Sequence, residues 1–146
     1  MAIPRTRAAA AGAAAALAWA ALEPVDRRVL RYGYSDVALL GKAVTRGRAW
    51  PVAGLTLHAV NGAVFGLFYA EVARRTRAAP RPLAVGLALA EHVALYPLGF
   101  VVDRWHPARG EPGLPPLLRS GRAYAQATVR HAVFGLVLGR LAAPPT

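Results

Sequence analysis

Six polar side chains stand out in this sequence because each falls within a long apolar stretch. They are His58, Asn61, Glu91, His92, Arg130 and His131. Ionisable groups are costly in such surroundings, so they are expected to face one another or a wet cavity. Two kinds of chemistry would use them. Glu91 could carry protons or a small solute with His92, Arg130 and His131, or His58 and His131 could ligate a haem b through their imidazole nitrogens.

A structural role for the same residues is the interpretation we favour. Glu91 and Arg130 are predicted to form a buried ion pair between neighbouring helices. His58, Asn61 and His131 are predicted to make interhelical hydrogen bonds. Such bonds contribute only ~0.6 kcal/mol each on average, so they would specify the geometry of a bundle more than they stabilise it.

The sequence carries no motif for catalysis. It has no nucleophile elbow, phosphate-binding loop, zinc motif or paired catalytic carboxylates, and the absence of Cys rules out thiolate chemistry. We therefore predict no enzyme activity, no catalytic residue, no metal site and no resident cofactor. The predicted function is that of a structural or accessory membrane protein.

Two of the histidines open the same short pattern in different parts of the chain. HAVNGAVFG begins at His58 and HAVFGLVLG at His131, 73 residues later. Histidine, glycine and glycine at i, i+4 and i+8 share one face of a helix. We predict a tandem, parallel duplication of a two-helix unit, with units 1–73 and 74–146.

The glycines on these faces predict close helix packing. Small residues let two helix backbones approach each other, and GxxxG spacing is typical of packed membrane helices. The second and fourth helices are expected to contact each other through these faces. The predicted packing residues are Gly54, Gly62, Gly66, Gly135 and Gly139.

Length and composition indicate a single integral membrane domain. The 146 residues are 55% apolar and have a mean hydropathy of +0.33, which is too hydrophobic for an ordinary soluble domain. The predicted fold is all-α, a polytopic four-helix transmembrane bundle. A span needs about 20 apolar residues. Four segments approach or exceed that length, at about 8–22, 52–73, 83–102 and 123–143.

The first of these segments is open to a second interpretation. Residues 8–22 are mostly Ala, follow Arg5 and Arg7, and contain a small-x-small sequence near their end, as a signal peptide would. We favour a retained helix, because small side chains allow close packing against other helices. Glu23 and Pro24 are predicted to end it.

The connections between the spans carry weaker signals. Ser35 and Asp36 are predicted to begin a short amphipathic helix, which would lie either in the membrane interface or on its own bundle. Residues 104–122 are predicted to form a loop in which His106 has no special role. When Arg140 near the C-terminus is counted with the residues outside the spans, Lys and Arg number seven on one side and ten on the other, which favours neither orientation.

The H-x3-G-x3-G pattern on the second and fourth helices, with a basic connection after the first, resembles small four-helix inner-membrane proteins of bacteria. Within that group the chain is similar to the actinobacterial type, whose function is unknown. The resemblance implies a multi-pass protein of the bacterial inner membrane and implies no activity. The expected partners are the lipid bilayer and a second copy or a larger membrane complex. Nucleic acid is not expected, because the net charge of +11 is spread over flanks and loops.

Overall fold

The computed structural model describes residues 3–76 and 78–143, and all regular structure within them is helical. A single 3₁₀ turn, Tyr96–Leu98, joins the fourth helix to the fifth. The helices are α1 (Arg5–Val29), α2 (Asp36–Val44), α3 (Trp50–Arg75), α4 (Pro80–Leu95), α5 (Gly99–Trp105) and α6 (Gly121–Ala142). The all-α prediction is therefore confirmed.

Three helical segments are long and apolar enough to cross a membrane. They are α1, α3 and the segment Pro80–Trp105, which comprises α4, the 3₁₀ turn and α5. Pro97 lies in that turn, which is where the regular hydrogen-bond pattern of the segment changes. The fourth predicted span corresponds to α6, which has 22 residues but is less apolar, since Gln126, Arg130 and His131 lie within it.

The first helix is longer than predicted. The expectation that Glu23 and Pro24 end it after Leu22 was wrong, because α1 continues to Val29 with Pro24 inside. A proline in a helix interior loses one backbone hydrogen bond and crowds the preceding turn. The side chains of Glu23 and Asp26 are both buried in contacts with other elements, and these tertiary contacts hold the last turns in helical form.

The long helices form an open row rather than a closed ring. α1 lies between α3 and α6, and α6 packs on its other side against α4. Each neighbouring pair is antiparallel, as the partners of α1 show: its start meets the end of α6 and its later turns meet the start of α6. The two outer helices, α3 and α4, barely touch each other. One side of the bundle is therefore open.

Glycines bring the helix backbones of the first pair into direct contact. A Cβ atom on Gly62 of α3 would overlap the carbonyl oxygen of Gly12 in α1, and one on Gly66 would overlap that of Ala8. In the second pair, a Cβ on Gly135 of α6 would come within 2.6 Å of the Cα of Val85 in α4. At these glycines no larger residue fits without a shift of the neighbouring backbone.

The predicted partners of the glycines were wrong. We expected α3 and α6 to pack on each other through them, but Gly62 and Gly66 face α1, while Gly135 and Gly139 face α4. Gly54 faces a third element, the backbone of α2. A periodic stripe of small residues predicts that a helix is approached closely, but it does not name the approaching helix.

α2 and the segment after α5 form a cap over one end of the bundle. The Ser35 hydroxyl accepts a hydrogen bond from the Ala38 backbone N–H, so the predicted helix start is confirmed. Of the two positions left open for α2, it packs on its own bundle. Lys42 is buried and pairs with Glu111 at 3.1 Å across the cap.

His106 belongs to this cap and is more than a loop residue. Its ring is buried, and its Nε2 donates to the carbonyl oxygen of Leu39 at 2.9 Å. Its Nδ1 accepts from the Ala108 backbone N–H at 3.1 Å. The expectation of no special role was wrong, because the ring joins the loop to α2 through both of its nitrogens.

Replacing Gly62 by Ala should destabilise the α1–α3 contact. The added methyl group meets backbone atoms that cannot rotate away, and such overpacking costs about 1–3 kcal/mol. Gly86→Ala is the matched control, because a Cβ at Gly86 on exposed α4 surface meets no atom within 4 Å. Thermal unfolding followed by circular dichroism in mild detergent compares the two. Equal melting temperatures would contradict the packing described.

Candidate functional site

The most deeply buried charge in the described structure belongs to Arg130 of α6. Its side chain is fully buried, and its guanidinium forms a two-point ion pair with Asp26 of α1 through bonds of 2.5 Å and 2.7 Å. A third nitrogen of the guanidinium, Nη1, donates a hydrogen bond of 2.6 Å to Asp36 at the start of α2. Planar guanidinium groups match carboxylates in this paired geometry. Arg130 therefore ties three elements together.

Further hydrogen bonds satisfy the carboxylates of this cluster. Asp36 accepts from the Trp19 indole N–H at 2.9 Å and from the Tyr34 hydroxyl at 2.5 Å. Asp26 accepts from the Gln126 amide at 2.7 Å. These residues, with Arg130, form what we call the Arg130 cluster. Buried ion pairs persist only when their remaining hydrogen-bonding capacity is met in this way.

Glu23 lies beside the Arg130 cluster and anchors the chain that enters α2. Its carboxylate accepts from the Ser35 hydroxyl at 2.5 Å and from the backbone N–H groups of Asp36 and Val37 at 2.8 Å and 3.2 Å. It lies 3.7 Å from the Arg130 guanidinium. A carboxylate at the first turn of a helix also suits the helix dipole.

The predicted ion pair between Glu91 and Arg130 was wrong. Arg130 instead pairs with acids from the first connection and the end of α1, which are separated from it by about a hundred residues of chain. Composition offered one indication: of the seven acidic residues in the chain, three are Glu23, Asp26 and Asp36. A fully buried arginine has to find such partners, whatever their distance in sequence.

Three of the predicted site histidines gather around Trp19 in the middle of the bundle. The indole lies between α3 and α6, with ring centroids 5.2 Å from His58 and 4.4 Å from His131. His92 of α4 lies on the other side of His131, at 4.8 Å between centroids. The structure thus brings together residues from three helices that the sequence analysis had grouped.

Two of these histidines have a ring nitrogen in a hydrogen bond. The backbone carbonyl of Ala127 accepts from His131 Nδ1 at 2.7 Å. The bond made by His131 is within its own helix, so the interhelical bond predicted for it was wrong. His92 Nε2 lies 3.0 Å from the hydroxyl of Thr128, which itself donates to a carbonyl. Each of these two rings is therefore held in one tautomer by its partner.

The Nε2 atoms of His58 and His131 make no hydrogen bond to a described residue. His58 Nε2 is buried and has no hydrogen-bond partner among the described residues. His131 Nε2 lies 3.9 Å from the carboxylate of Glu91, which is beyond hydrogen-bonding distance. Because Nδ1 of His131 donates a proton to a carbonyl, the Nε2 of that ring presents a lone pair.

A cavity of about 260 Å³ connects these groups. α1 and α6 form its back wall, and α3 and α4 face each other across it on the open side of the bundle. Its aromatic walls include Trp19, Phe65, Tyr96 and Phe134. Its polar groups include His58, Asn61, Glu91, His92 and His131.

Asn61 and Glu91 sit nearer the opening than the histidines do. Asn61 is exposed and has no hydrogen bond to another described residue, so the interhelical bond predicted for it is not seen. The Glu91 side chain is one-third exposed. The only charged or ionisable group within salt-bridge distance of it in the described part of the chain is His131.

The arrangement does not fit a haem held by His58 and His131. Such a ligation needs a flat macrocycle between the two imidazoles, with a nitrogen from each side reaching the iron. The Trp19 indole lies against both rings and takes that place. Among the described residues, no three His, Asp or Glu side chains are grouped closely enough to hold a metal ion.

Comparison with known proteins finds no match to a family model, to a curated protein or to a solved structure.

Removing the Arg130 guanidinium should be strongly destabilising. Arg130→Met leaves two buried carboxylates without a counter-charge, and breaking a buried pair in this way costs about 3–5 kcal/mol. Arg140→Met on the exposed face of the same helix is the matched control. Denaturant unfolding in detergent micelles measures both. Similar losses for the two variants would contradict the role given to Arg130.

The cluster should also make stability depend on acid pH. Burial by itself would raise the pKa of Asp36, but the charge of Arg130 and hydrogen bonds from Tyr34 and Trp19 outweigh it and lower that pKa below its usual 3.8. A carboxylate with a lowered folded pKa stabilises the fold above its unfolded pKa, and the stabilisation is lost as pH falls through the folded value.

The melting temperature of the wild type is therefore expected to fall steeply as pH drops below about 4, with a shallower fall in Asp36→Asn. The slope of melting temperature against pH between pH 7 and pH 2.5 is the measurement. Parallel curves for the two proteins would show that Asp36 does not contribute to the acid sensitivity.

Proposed function

We propose that this chain is an integral membrane protein of four spans, built as a tandem two-helix repeat, with a structural or accessory role in a bacterial inner membrane. The observation that carries the proposal is the complete burial of Arg130 among carboxylates. With its charge neutralised inside the bundle, α6 becomes acceptable to lipid. Its 22 residues give a length of about 33 Å, enough to cross a hydrocarbon layer of about 30 Å.

Corresponding contacts in the two helix pairs support the duplication. In the first pair Gly62 meets Gly12, and 73 residues later Gly135 meets Val85, the position that corresponds to Gly12. Pro24 and Pro97 are separated by the same 73 residues. Equal offsets in pairs of contacting residues are expected when one two-helix unit is used twice.

Ring contacts repeat in the same way. Trp19 packs on His58 in the first pair, and 73 residues later His92 packs on His131 in the second. The repeated contact lies beside the cavity in both units. The repeat therefore extends from the glycine faces to the polar centre.

Exposed apolar side chains support a lipid-facing surface. α3 exposes Val60, Val64 and Phe68, and the segment from α4 to α5 exposes Val93 and Phe100. Large apolar side chains exposed along a whole helix are ordinary on membrane helices, where lipid covers them. The bilayer is the partner that fits them.

An accessory role suits the way the polar residues are used. The Arg130 cluster and the cap fasten α1, α2 and α6 to one another, which makes a rigid frame without a group poised for catalysis. A transport role would have to rely on Glu91, His92 and His131 alone, because Arg130 is committed to its carboxylates. We therefore favour the structural or accessory role over the transport role.

Single cysteines test the four-span topology, since the natural chain has none. Gly33→Cys and Arg109→Cys should be labelled from one side of the membrane by an impermeant maleimide, and Thr76→Cys and Ala143→Cys from the other. Labelling in intact and permeabilised cells gives the assignment, with the wild type as the unlabelled control. Ala143→Cys on the same side as Arg109→Cys would overturn the fourth span.

A further inference from the structure

We propose that the cavity between α3 and α4 binds a small aromatic amine in its protonated form, with Glu91 as the counter-charge. The proposal deepens the proposed function, because it rests on the open side of the bundle facing lipid. It names the chemical class of the ligand that the cavity would bind.

The charge of the cavity wall is opposite to that of the protein. The chain has a net charge of +11, yet no lining residue of this cavity is Lys or Arg, and its charged lining groups are Asp36 and Glu91. Asp36 is already neutralised by Arg130. Glu91 has no Lys or Arg within ion-pair distance in the described structure. A carboxylate in this position favours a cationic ligand.

The uncharged polar groups also favour a ligand that donates hydrogen bonds. His58 lines the cavity, and its Nε2 is a buried atom with no hydrogen-bond partner among the described residues. His131 Nε2 presents a lone pair, 3.9 Å from Glu91. An ammonium group has three N–H donors and no acceptor, so it can serve Glu91 and an imidazole lone pair together.

The aromatic side chains of the cavity favour an apolar ring as the uncharged part of the ligand. Trp19, Phe65, Tyr96 and Phe134 line the cavity, and aromatic faces attract cations as well as apolar rings. The volume of about 260 Å³ lies just below the range of drug-sized sites. The ligand is therefore small, about the size of one ring with a short chain. The ligand would enter the cavity by passing between α3 and α4, because these two helices barely touch.

Trp19 provides a direct readout of binding, because its ring forms part of the wall. In a variant that keeps only this tryptophan (Trp50→Phe with Trp105→Phe), the fluorescence is titrated in nanodiscs and in detergent. The probes are 2-phenylethylammonium, its neutral analogue 3-phenyl-1-propanol and its anionic analogue 3-phenylpropionate. The cation should bind at least about tenfold more tightly than either analogue, as expected for a charge-assisted contact.

Variants separate the site from non-specific partitioning into lipid. Glu91→Gln should weaken binding of the cation about tenfold or more and remove its advantage over the alcohol. His58→Phe should weaken the cation by a smaller factor. Glu71→Gln, which changes an exposed carboxylate outside the cavity, is the matched control and should leave binding unchanged. Circular dichroism establishes that each variant is folded.

The outcomes are distinguishable. Equal affinity for the three probes, or a cation affinity that Glu91→Gln leaves unchanged, would overturn the proposal. An absence of any fluorescence change would overturn it as well and would favour a lipid chain or a second copy as the occupant. Binding with the expected pattern in detergent, together with failure of the four-span topology, would refute only the proposed membrane arrangement.

Discussion

The structure depends on the need to neutralise one guanidinium in its interior. Arg130 lies on a central helix, where no water can solvate its charge, so carboxylates have to be brought to it. Asp26 comes from the end of α1 and Asp36 from the start of α2. Both positions require the chain to continue as a helix past Pro24 and then to turn back over the bundle end. The cap and the extended α1 are consequences of that requirement.

The bundle consists of two tightly packed helix pairs that meet along one side and leave the other side open. Glycines let α3 approach α1 and let α6 approach α4, so each helix pair is tight. The pairs meet through α1 and α6, whose large side chains, Trp19 and Arg130 among them, fill the contact. No equivalent contact joins α3 to α4, because the two pairs meet at one side only. The cavity is the space that this unequal arrangement leaves.

The two groups of polar residues differ in what they can do. In the Arg130 cluster the buried charges are paired with one another, which holds helices in place, and Gln126 Oε1 is a buried acceptor without a partner among the described residues. The cavity groups are less fully paired, since His58 Nε2 and the Glu91 carboxylate lack partners of matching charge or geometry in the described structure. Charges that are paired inside a fold help to specify it, whereas a carboxylate without a counter-charge is free to pair with a ligand. This contrast separates the frame of the protein from its candidate site.

Local information was sufficient for the helices themselves. Apolar stretches near or above the length of a span, the Ser35 cap and the periodic glycines each depend on residues within a few positions, and the structure places helices at all of them. Prediction was weaker at Pro24, where the local preference to end a helix was overridden by the buried contacts of Glu23 and Asp26. A local rule fails where distant partners supply more stabilisation than the rule costs.

By itself, the sequence determined that the protein is helical, strongly apolar and closely packed at its glycines, because these properties follow from the types and spacing of neighbouring residues. Only the tertiary structure decided which helix each glycine meets and which acids neutralise Arg130. Asp26 and Asp36 lie 104 and 94 residues from it along the chain, so no local pattern could link them. The grouping of Trp19 with His58, His92 and His131 was decided in the same way, because a cavity wall is built from several helices at once.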